Sequence, residues 1–297
     1  MLNQISRRTF FKTAVGLGGG TALGSLGFAL YEPSELQVER VEIYLRRLPS
    51  AFDGFRVVQL SDIHFGEYFT VNHLRHVVEI ANAQQPDLVL LTGDYVTAPS
   101  ERSERNQRAL EMWPCAEALA NLRARFGRVA ILGNHDFSTN PAIVSEALRK
   151  NQHTVLRNQA IPIEAYGARF WVAGLDDVLK RRPDPEATLQ PVPPGECVVV
   201  AVHEPDYAGE LRQYPVDFVA AGHSHGGQVR FPGVGPLYLP EGAQMYPCGY
   251  YRLGELQLYT NRGLGVIGVP MRFLCPPELT VFTLRSGSSP TGQAFRS

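Results

Sequence analysis

The chain has 297 residues, 44% hydrophobic and 10% aromatic, enough to bury a full core in one or two domains. Its 28 Lys and Arg nearly balance 29 Asp and Glu, for a net charge of −1. There is no basic excess to neutralise the phosphates of a nucleic acid, which speaks against that class of partner.

The first element read along the chain is a targeting segment. The stretch "SRRTFFK" (6–12) precedes 19 uncharged residues, Thr13 to Tyr31. A basic region ahead of an apolar stretch is an export signal. Arg7 and Arg8, with Phe10 and Lys12, resemble the twin-arginine signal of proteins exported already folded. Six glycines make the stretch only mildly apolar, unlike a stable membrane helix of ~20 strongly apolar residues. An uncleaved membrane anchor is the alternative, and either way the basic residues stay cytoplasmic. The expectation for 1–31 is therefore export, with the twin-arginine machinery and the membrane surface as partners. The protein would then be periplasmic, otherwise extracytoplasmic, or attached to the cell membrane.

Residues 32–53 read as a lead-in with one half-exposed strand, Val38–Leu45, in which apolar and charged residues alternate. "FRVVQLSD" predicts a buried strand, 70–84 an amphipathic helix ending before Pro86, and "DLVLLTGD" a second buried strand. A long helix is expected over 104–125, kinked or divided by Pro114. "RVAILGNHD" predicts a third buried strand, and Asn140-Pro141 opens another helix. From His153 the pattern turns to strands with little helix between them. The segment 179–196 holds five of the 22 prolines and reads as an exposed loop. A β-α-β first half followed by a strand-rich second half fits an α/β fold of two packed sheets with helices outside. The folded domain spans 54–285, and 286–297 reads as a flexible tail.

Four cysteines, Cys115, Cys197, Cys248 and Cys275, are too few for a disulfide scaffold and lack C-x-x-C spacing. Cys248–Cys275 is the one pairing worth considering.

Five short clusters end apolar runs: Asp62-x-His64, Gly93-Asp94, Gly133-Asn134-His135-Asp136, His203, and Gly222-His223-x-His225. They contain five of the eight histidines, and all sit where the loops of α/β folds gather ligand-binding groups. Each cluster alone has an ordinary explanation as a turn cap or a satisfied polar residue. Their joint order at successive strand ends points instead to one site. Imidazole and carboxylate without thiolate suits manganese, iron or zinc. For His223 and His225 to share a face the backbone must be extended, or a tight loop must re-aim one of them.

In this order the motifs D-x-H, G-D, G-N-H-D, H and G-H-x-H resemble the calcineurin-like metallophosphoesterases over roughly residues 54–285. That resemblance implies a β-sandwich flanked by helices and two divalent metal ions at the strand ends. It implies Asp62, His64 and His225 on one ion, Asn134, His203 and His223 on the other, and Asp94 between them. His135 would stay off the metals and serve the leaving group, with Asp136 orienting it or capping the following loop. The two ions would lower the pKa of a shared water, which attacks phosphorus in line.

Protein serine/threonine phosphatases of this superfamily read G-D-Y-V-D-R-G, whereas this chain has "GDYVTAP", with Thr97 and Ala98 at the Asp and Arg positions. A protein phosphatase is disfavoured, and support for His135 must come from elsewhere. "GHSHGGQ", "HEPD" and "RGLGVIGVPMRFLCPPEL" look like the exported or membrane-associated branch. That branch is linked to phospholipid and glycolipid headgroups, including the pyrophosphate of UDP-2,3-diacylglucosamine. Lipid A assembly is cytoplasmic, so an exported enzyme fits that particular substrate awkwardly. Arg272 is the candidate phosphate contact of the tail, which also carries Arg262 and Glu278. His73, His76 and His153 have no metal partner nearby and read as ordinary polar residues, while Asp176-Asp177 reads as a turn. The reading is a two-metal phosphoesterase acting on phosphomonoesters, phosphodiesters or pyrophosphates. The rival is a membrane-tethered binding protein that keeps the fold without the chemistry.

Overall fold

The computed structural model describes residues 35–288, so the twin-arginine segment and most of the expected tail lie outside the described residues. Two six-stranded sheets form its centre. The first has the order β1 (Gln37–Leu45), β14 (Glu278–Ser286), β2 (Phe55–Leu60), β3 (Leu88–Leu91), β4 (Arg128–Ala130), β5 (Thr154–Val155). The second runs β12 (Gly249–Leu253), β13 (Leu256–Thr260), β9 (Phe218–Ala221), β8 (Val198–Ala201), β7 (Ala168–Gly174), β6 (Gln159–Ala165). A small hairpin, β10 (Arg230–Phe231) with β11 (Gly235–Pro236), stands apart. Both sheets are mixed: β2 to β5 are parallel, as are β13, β9, β8 and β7, with antiparallel partners outside each run.

The unbroken apolar runs have a physical reason: their strands are covered on both faces. Val57, Leu88, Leu90 and Val129 meet Phe170, Val172, Val199 and Phe218 of the second sheet in the sandwich core. The intervening Val58, Leu60, Val89 and Leu91 face the helices α1 (Val71–Ala83), α3 (Met112–Leu119) and α5 (Pro141–Lys150). Helix α1 presents Leu74, Val77, Val78 and Ala81 as one buried stripe, each large member worth about 1.5–3 kcal/mol in transfer terms. Asn140 caps α5 by accepting from Ala142 and Ile143 N–H, with Pro141 in the first turn, as expected.

Three elements differ from expectation. The long helix over 104–125 is two short ones, α2 (Arg105–Ala109) and α3, and α3 stops at Leu119. Pro114 lies inside the first turn of α3, where its missing N–H costs nothing, so the division falls before it at Leu110 and Glu111. A short helix, α4 (Asn134–Thr139), follows β4 directly. The proline-rich loop contains α6 (Pro185–Leu189), capped by Asp184 accepting from Ala187 N–H. Strand β1 pairs in parallel with β14 along its whole length.

Candidate metal centre

Strands β2, β3, β4, β8 and β9 deliver their C-terminal ends to one edge of the sandwich, where all five clusters meet. Three groups of donor atoms lie within 4.8 Å of one another: Asp62, His64 and His225; Asp94, His203 and His223; and His64, Asp94 and His135. The first two contain the expected histidine and carboxylate ligands of two ions, with Asn134 following Gly133 beside the second. Asp94 Oδ2 stands 3.7 Å from His64 Nε2 and 3.2 Å from His203 Nε2, so one carboxylate reaches both groups.

The backbone is strained to achieve this. Asp62, His64, Asp94, His223 and His225 all have positive φ, between 46° and 67°, a conformation costing about 1–3 kcal/mol each outside glycine. His223 and His225 converge because a tight loop turns both, not because the segment is extended. Gly222 permits the approach: a Cβ there would collide with Ser61 Oγ and Asp62 Oδ2. Gln59, buried in the sandwich, donates to Thr92 Oγ1 and the Ala221 carbonyl, tying the two sheets together beneath the site.

Each imidazole is oriented from behind. His203 Nδ1 donates to the Thr92 carbonyl at 2.7 Å, and His223 Nε2 donates to the Glu241 carbonyl at 2.9 Å. His64 Nδ1 lies 3.0 Å from Thr97 Oγ1. Thr97 was notable in the sequence only as a departure from the phosphatase pattern; here it steadies a metal-type histidine. The two carbonyl bonds leave His203 Nε2 and His223 Nδ1 as lone pairs for the site, and Thr97 holds the His64 ring with Nε2 toward it.

The residues fit a pair of cations. With metal–donor bonds of ~2.0–2.2 Å, donors sharing an ion lie roughly 3.0–3.5 Å apart. His64 Nε2 and His225 Nε2 are 3.1 Å apart, and His225 Nε2 is 3.4 Å from Asp62 Oδ1. Buried His203 Nε2 and Asn134 Oδ1 make no hydrogen bond, though such atoms are costly to leave unpartnered. Burial holds His64 and His225 well below the ordinary histidine range, with His135 next for the former and Arg272 for the latter. Burial, then His203, pushes His223 down to about 4. Burial opposes ionisation of Asp94, yet His203, His135 and His64 hold its carboxyl well below the usual range. His203 runs the other way: burial opposes its charge, yet Asp94 and then Asp62 hold it well above the ordinary histidine range. Neutral His64, His223 and His225 beside an ionised Asp94 are consistent with a cation site.

His135 stands at the edge of this cluster. Its Nδ1 accepts from the backbone N–H of Ala98 at 3.0 Å, and its own N–H donates to Asp94 Oδ1 at 2.9 Å. The support absent from the side chains of "GDYVTAP" is therefore a main-chain amide. No sequence signal marked it, because an amide carries no residue identity.

Of its two expected roles Asp136 takes the cap, and Arg272 is turned inward. Asp136 does not touch the His135 ring; its carboxylate accepts from the N–H groups of Asp94 (2.8 Å), Gly133 (2.9 Å) and Tyr95 (3.0 Å). Those amides, left unpaired where the chain turns from strand to loop, need an acceptor, so Asp136 clamps the two ligand loops together. Arg272 is fully buried and does not present itself to substrate. It donates to the carbonyls of Cys275 (3.0 Å), Arg262 (2.9 Å), Gly263 (3.1 Å) and Gly265 (2.6 Å), with His225 Nδ1 3.4 Å away. The loop's inward carbonyls lack ladder partners, and a guanidinium has enough donors to satisfy several. Arg262 is committed too, to Glu278 and Glu39. Asp177 accepts from Lys180 N–H, the turn role expected of it, whereas the Asp176 carboxylate pairs with Arg157. The four cysteines are thiols rather than disulfides, and Cys275 Sγ donates to the His225 carbonyl at 3.2 Å, so Cys248 and Cys275 are not joined.

Residues 55–227 match the calcineurin-like phosphoesterase family. The chain is similar to an uncharacterised metallophosphoesterase of Bacillus subtilis, YkuE, at 37% identity over 96% of this chain and 99% of that one. It is similar to the phosphodiesterase YaeI of Escherichia coli at 29% identity, over 95% of this chain and 100% of that one. A solved dimetal phosphatase from Danio rerio aligns with 71% of this chain and 88% of its own at 14% identity and a TM-score of 0.46. The clusters are consistent with a two-metal site. With a family match over more than half its length, and a relative that similar end to end, the chain belongs to the calcineurin-like phosphoesterase family and is a metallophosphoesterase.

Proposed function

We propose that the chain hydrolyses phosphodiester or pyrophosphate bonds outside the cytoplasm, with lipid-linked headgroups as its substrates. The posture of His135 carries the hydrolytic part of this reading. Because Nδ1 accepts the Ala98 N–H, the neutral ring keeps its proton on Nε2. A ring held that way offers an Nε2–H hydrogen bond to charge developing on a leaving oxygen, which matters most for an alkoxide of high pKa.

Asp62, His64 and His225 would hold one divalent ion and Asn134, His203 and His223 the other, with Asp94 shared between them. Manganese, iron or zinc in those positions supplies Lewis-acid stabilisation of phosphoryl charge and lowers the pKa of a water. The chain's own contribution is positioning. Thr97, the Thr92 carbonyl and the Glu241 carbonyl fix three rings, and Asp136 fixes the loops that carry Asp94 and His135. Residues held this firmly keep their geometry as charge develops.

The diester reading draws support from the Escherichia coli relative, which bears the name phosphodiesterase. It also draws support from Thr97 and Ala98, which replace the Asp and Arg of the protein phosphatase pattern. Export rests on Arg7, Arg8, Phe10 and Lys12 ahead of an uncharged stretch. The metal-loaded full chain should be assayed on phosphomonoesters, bis-(p-nitrophenyl) phosphate, nucleotide-sugar pyrophosphates and phospholipids. Turnover of diesters or pyrophosphates above monoesters is expected. No turnover of any member by protein carrying two metals would favour the tethered, non-catalytic reading instead.

A further inference from the structure

Eight large apolar side chains stand exposed among the described residues, and five of them, Val234, Leu237, Tyr238, Met245 and Leu274, fall between residues 234 and 274. Scattered exposure is ordinary, but concentration of this kind marks a contact surface. Four of the five lie in or just after the uncharged stretch 231–240, and Leu274 follows a second uncharged stretch, 263–271. The two stretches are joined. Val229 bridges Phe273, and Gln228 Nε2 donates to the carbonyls of Ile267 and Val269.

This rim is anchored to the metal centre. The Glu241 carbonyl accepts from His223, and the Asp206 carboxylate accepts from the N–H groups of Gln244, Met245 and Tyr246. A segment pinned at so many points cannot collapse to hide its apolar side chains. A basic run adjoins it. A Cβ on Gly242 would meet Leu179 Cδ2 at 3.9 Å, and Lys180, Arg181 and Arg182 follow Leu179, all three exposed. The ion pairs among the described residues use other basic side chains. The Arg181 guanidinium lies 5.8 Å from the ring centroid of Phe137, two residues past His135. The apolar rim and the basic run thus border the same site.

The first described strand, β1, begins at this face. Gln37 N–H donates to the Pro277 carbonyl at 2.8 Å, three residues beyond Leu274. The first described residues, which follow the uncharged stretch 13–31 in sequence, therefore lie at the end that carries the rim.

We infer that residues 231–245 and Leu274, together with Lys180, Arg181 and Arg182, form a surface that docks on an anionic lipid bilayer. Apolar side chains beside a basic run suit the headgroup boundary, where the first are buried and the second meet anionic phosphates. Docking rests on the geometry above; that a headgroup phosphoester is then hydrolysed rests on the function proposed above.

The test places an indole at two equally exposed positions of the full chain, Val234→Trp at the rim and Tyr166→Trp in the turn between β6 and β7. Tyr166 precedes β7 whereas Asp176 follows it, so the control sits at the far end of the sandwich. Vesicles of brominated phosphatidylcholine and phosphatidylglycerol should quench the added emission at 234 about twofold or more beyond that at 166. Changing Lys180, Arg181 and Arg182 together to Ser should reduce that quenching. Equal quenching at both positions, or none at 234, overturns the inference. So does blue-shifted emission at 234 that ignores added lipid, since the rim would then be covered by the chain itself or a second copy. Turnover of soluble bis-(p-nitrophenyl) phosphate by the same variants separates the two readings. Quenching without turnover defeats only the phosphoesterase proposal, and turnover without quenching defeats only the docking surface.

Discussion

Gly133→Ala tests whether close packing of the ligand loops is what assembles the metal centre. Gly133 has extended backbone, φ −102° and ψ 179°, so alanine meets no dihedral penalty there. The cost is steric. A Cβ would lie 2.7 Å from both Cε1 and Nε2 of His203 and closer still to Asp94 Oδ1. Asp94 cannot easily withdraw, because the His135 N–H holds that oxygen at 2.9 Å. Overpacking of this kind costs about 1–3 kcal/mol, which in a domain this size lowers Tm by roughly 2–10 °C. The functional loss should be larger. Metal–ligand distances tolerate only ~0.2 Å, and a displacement near 1 Å costs about 10²-fold in rate. Elemental analysis after gel filtration, thermal unfolding and turnover of bis-(p-nitrophenyl) phosphate should be read together. Gly209→Ala is the control: nothing lies within 4 Å of its added methyl, and it should leave Tm and metal content unchanged or slightly improved. A Gly133→Ala protein that keeps two metals per chain at wild-type affinity and full turnover would refute the packing argument.

Three other outcomes are expected. His135→Ala should keep both metals and lose rate by about 10²–10⁴-fold on alkyl leaving groups, less on nitrophenolate. Asn134→Ala should lose metal and harm all substrates alike, so metal loss in the His135 variant would sink that division of labour. His153, buried outside the site, is pushed down to about 4 by burial and then by Arg128. It is neutral when folded and protonates on unfolding, so its contribution is complete above pH ~6.5 and lost as pH falls through about 4. His153→Leu should therefore flatten the fall in stability between pH 7 and 4.5 by about 2–3 kcal/mol in urea unfolding; parallel pH profiles would contradict this. Changing Arg7 and Arg8 together to Lys should strand folded protein in the cytoplasm, because lysine lacks the guanidinium fork. Normal export of that variant by cell fractionation would point to a general secretory signal or an anchor.

Much of the site was legible before the fold was known. Buried carboxylates and imidazoles are costly without a cation or a partner, so Asp62, His64, Asp94, His203, His223 and His225 at the ends of apolar runs stand out by residue type alone. The continuous apolar runs likewise announced strands covered on both faces, and Asn140-Pro141 announced a helix start. Exposure was not legible: "FPGVGPLYLP" reads as apolar, yet Val234, Leu237 and Tyr238 face outward because their backbone is pinned elsewhere.

What each polar side chain does was settled only by tertiary structure. Asp136 could have oriented the histidine beside it or capped the following loop, and it caps, holding three amides from two loops. Arg272 looked like a phosphate contact and instead holds carbonyls of its own loop. His135 was left without its usual acidic support and found a main-chain N–H of Ala98. The common reason is that main-chain donors and acceptors are the same at every residue. Which of them remain unpaired depends on how distant segments meet, and the side chains are drawn to those groups.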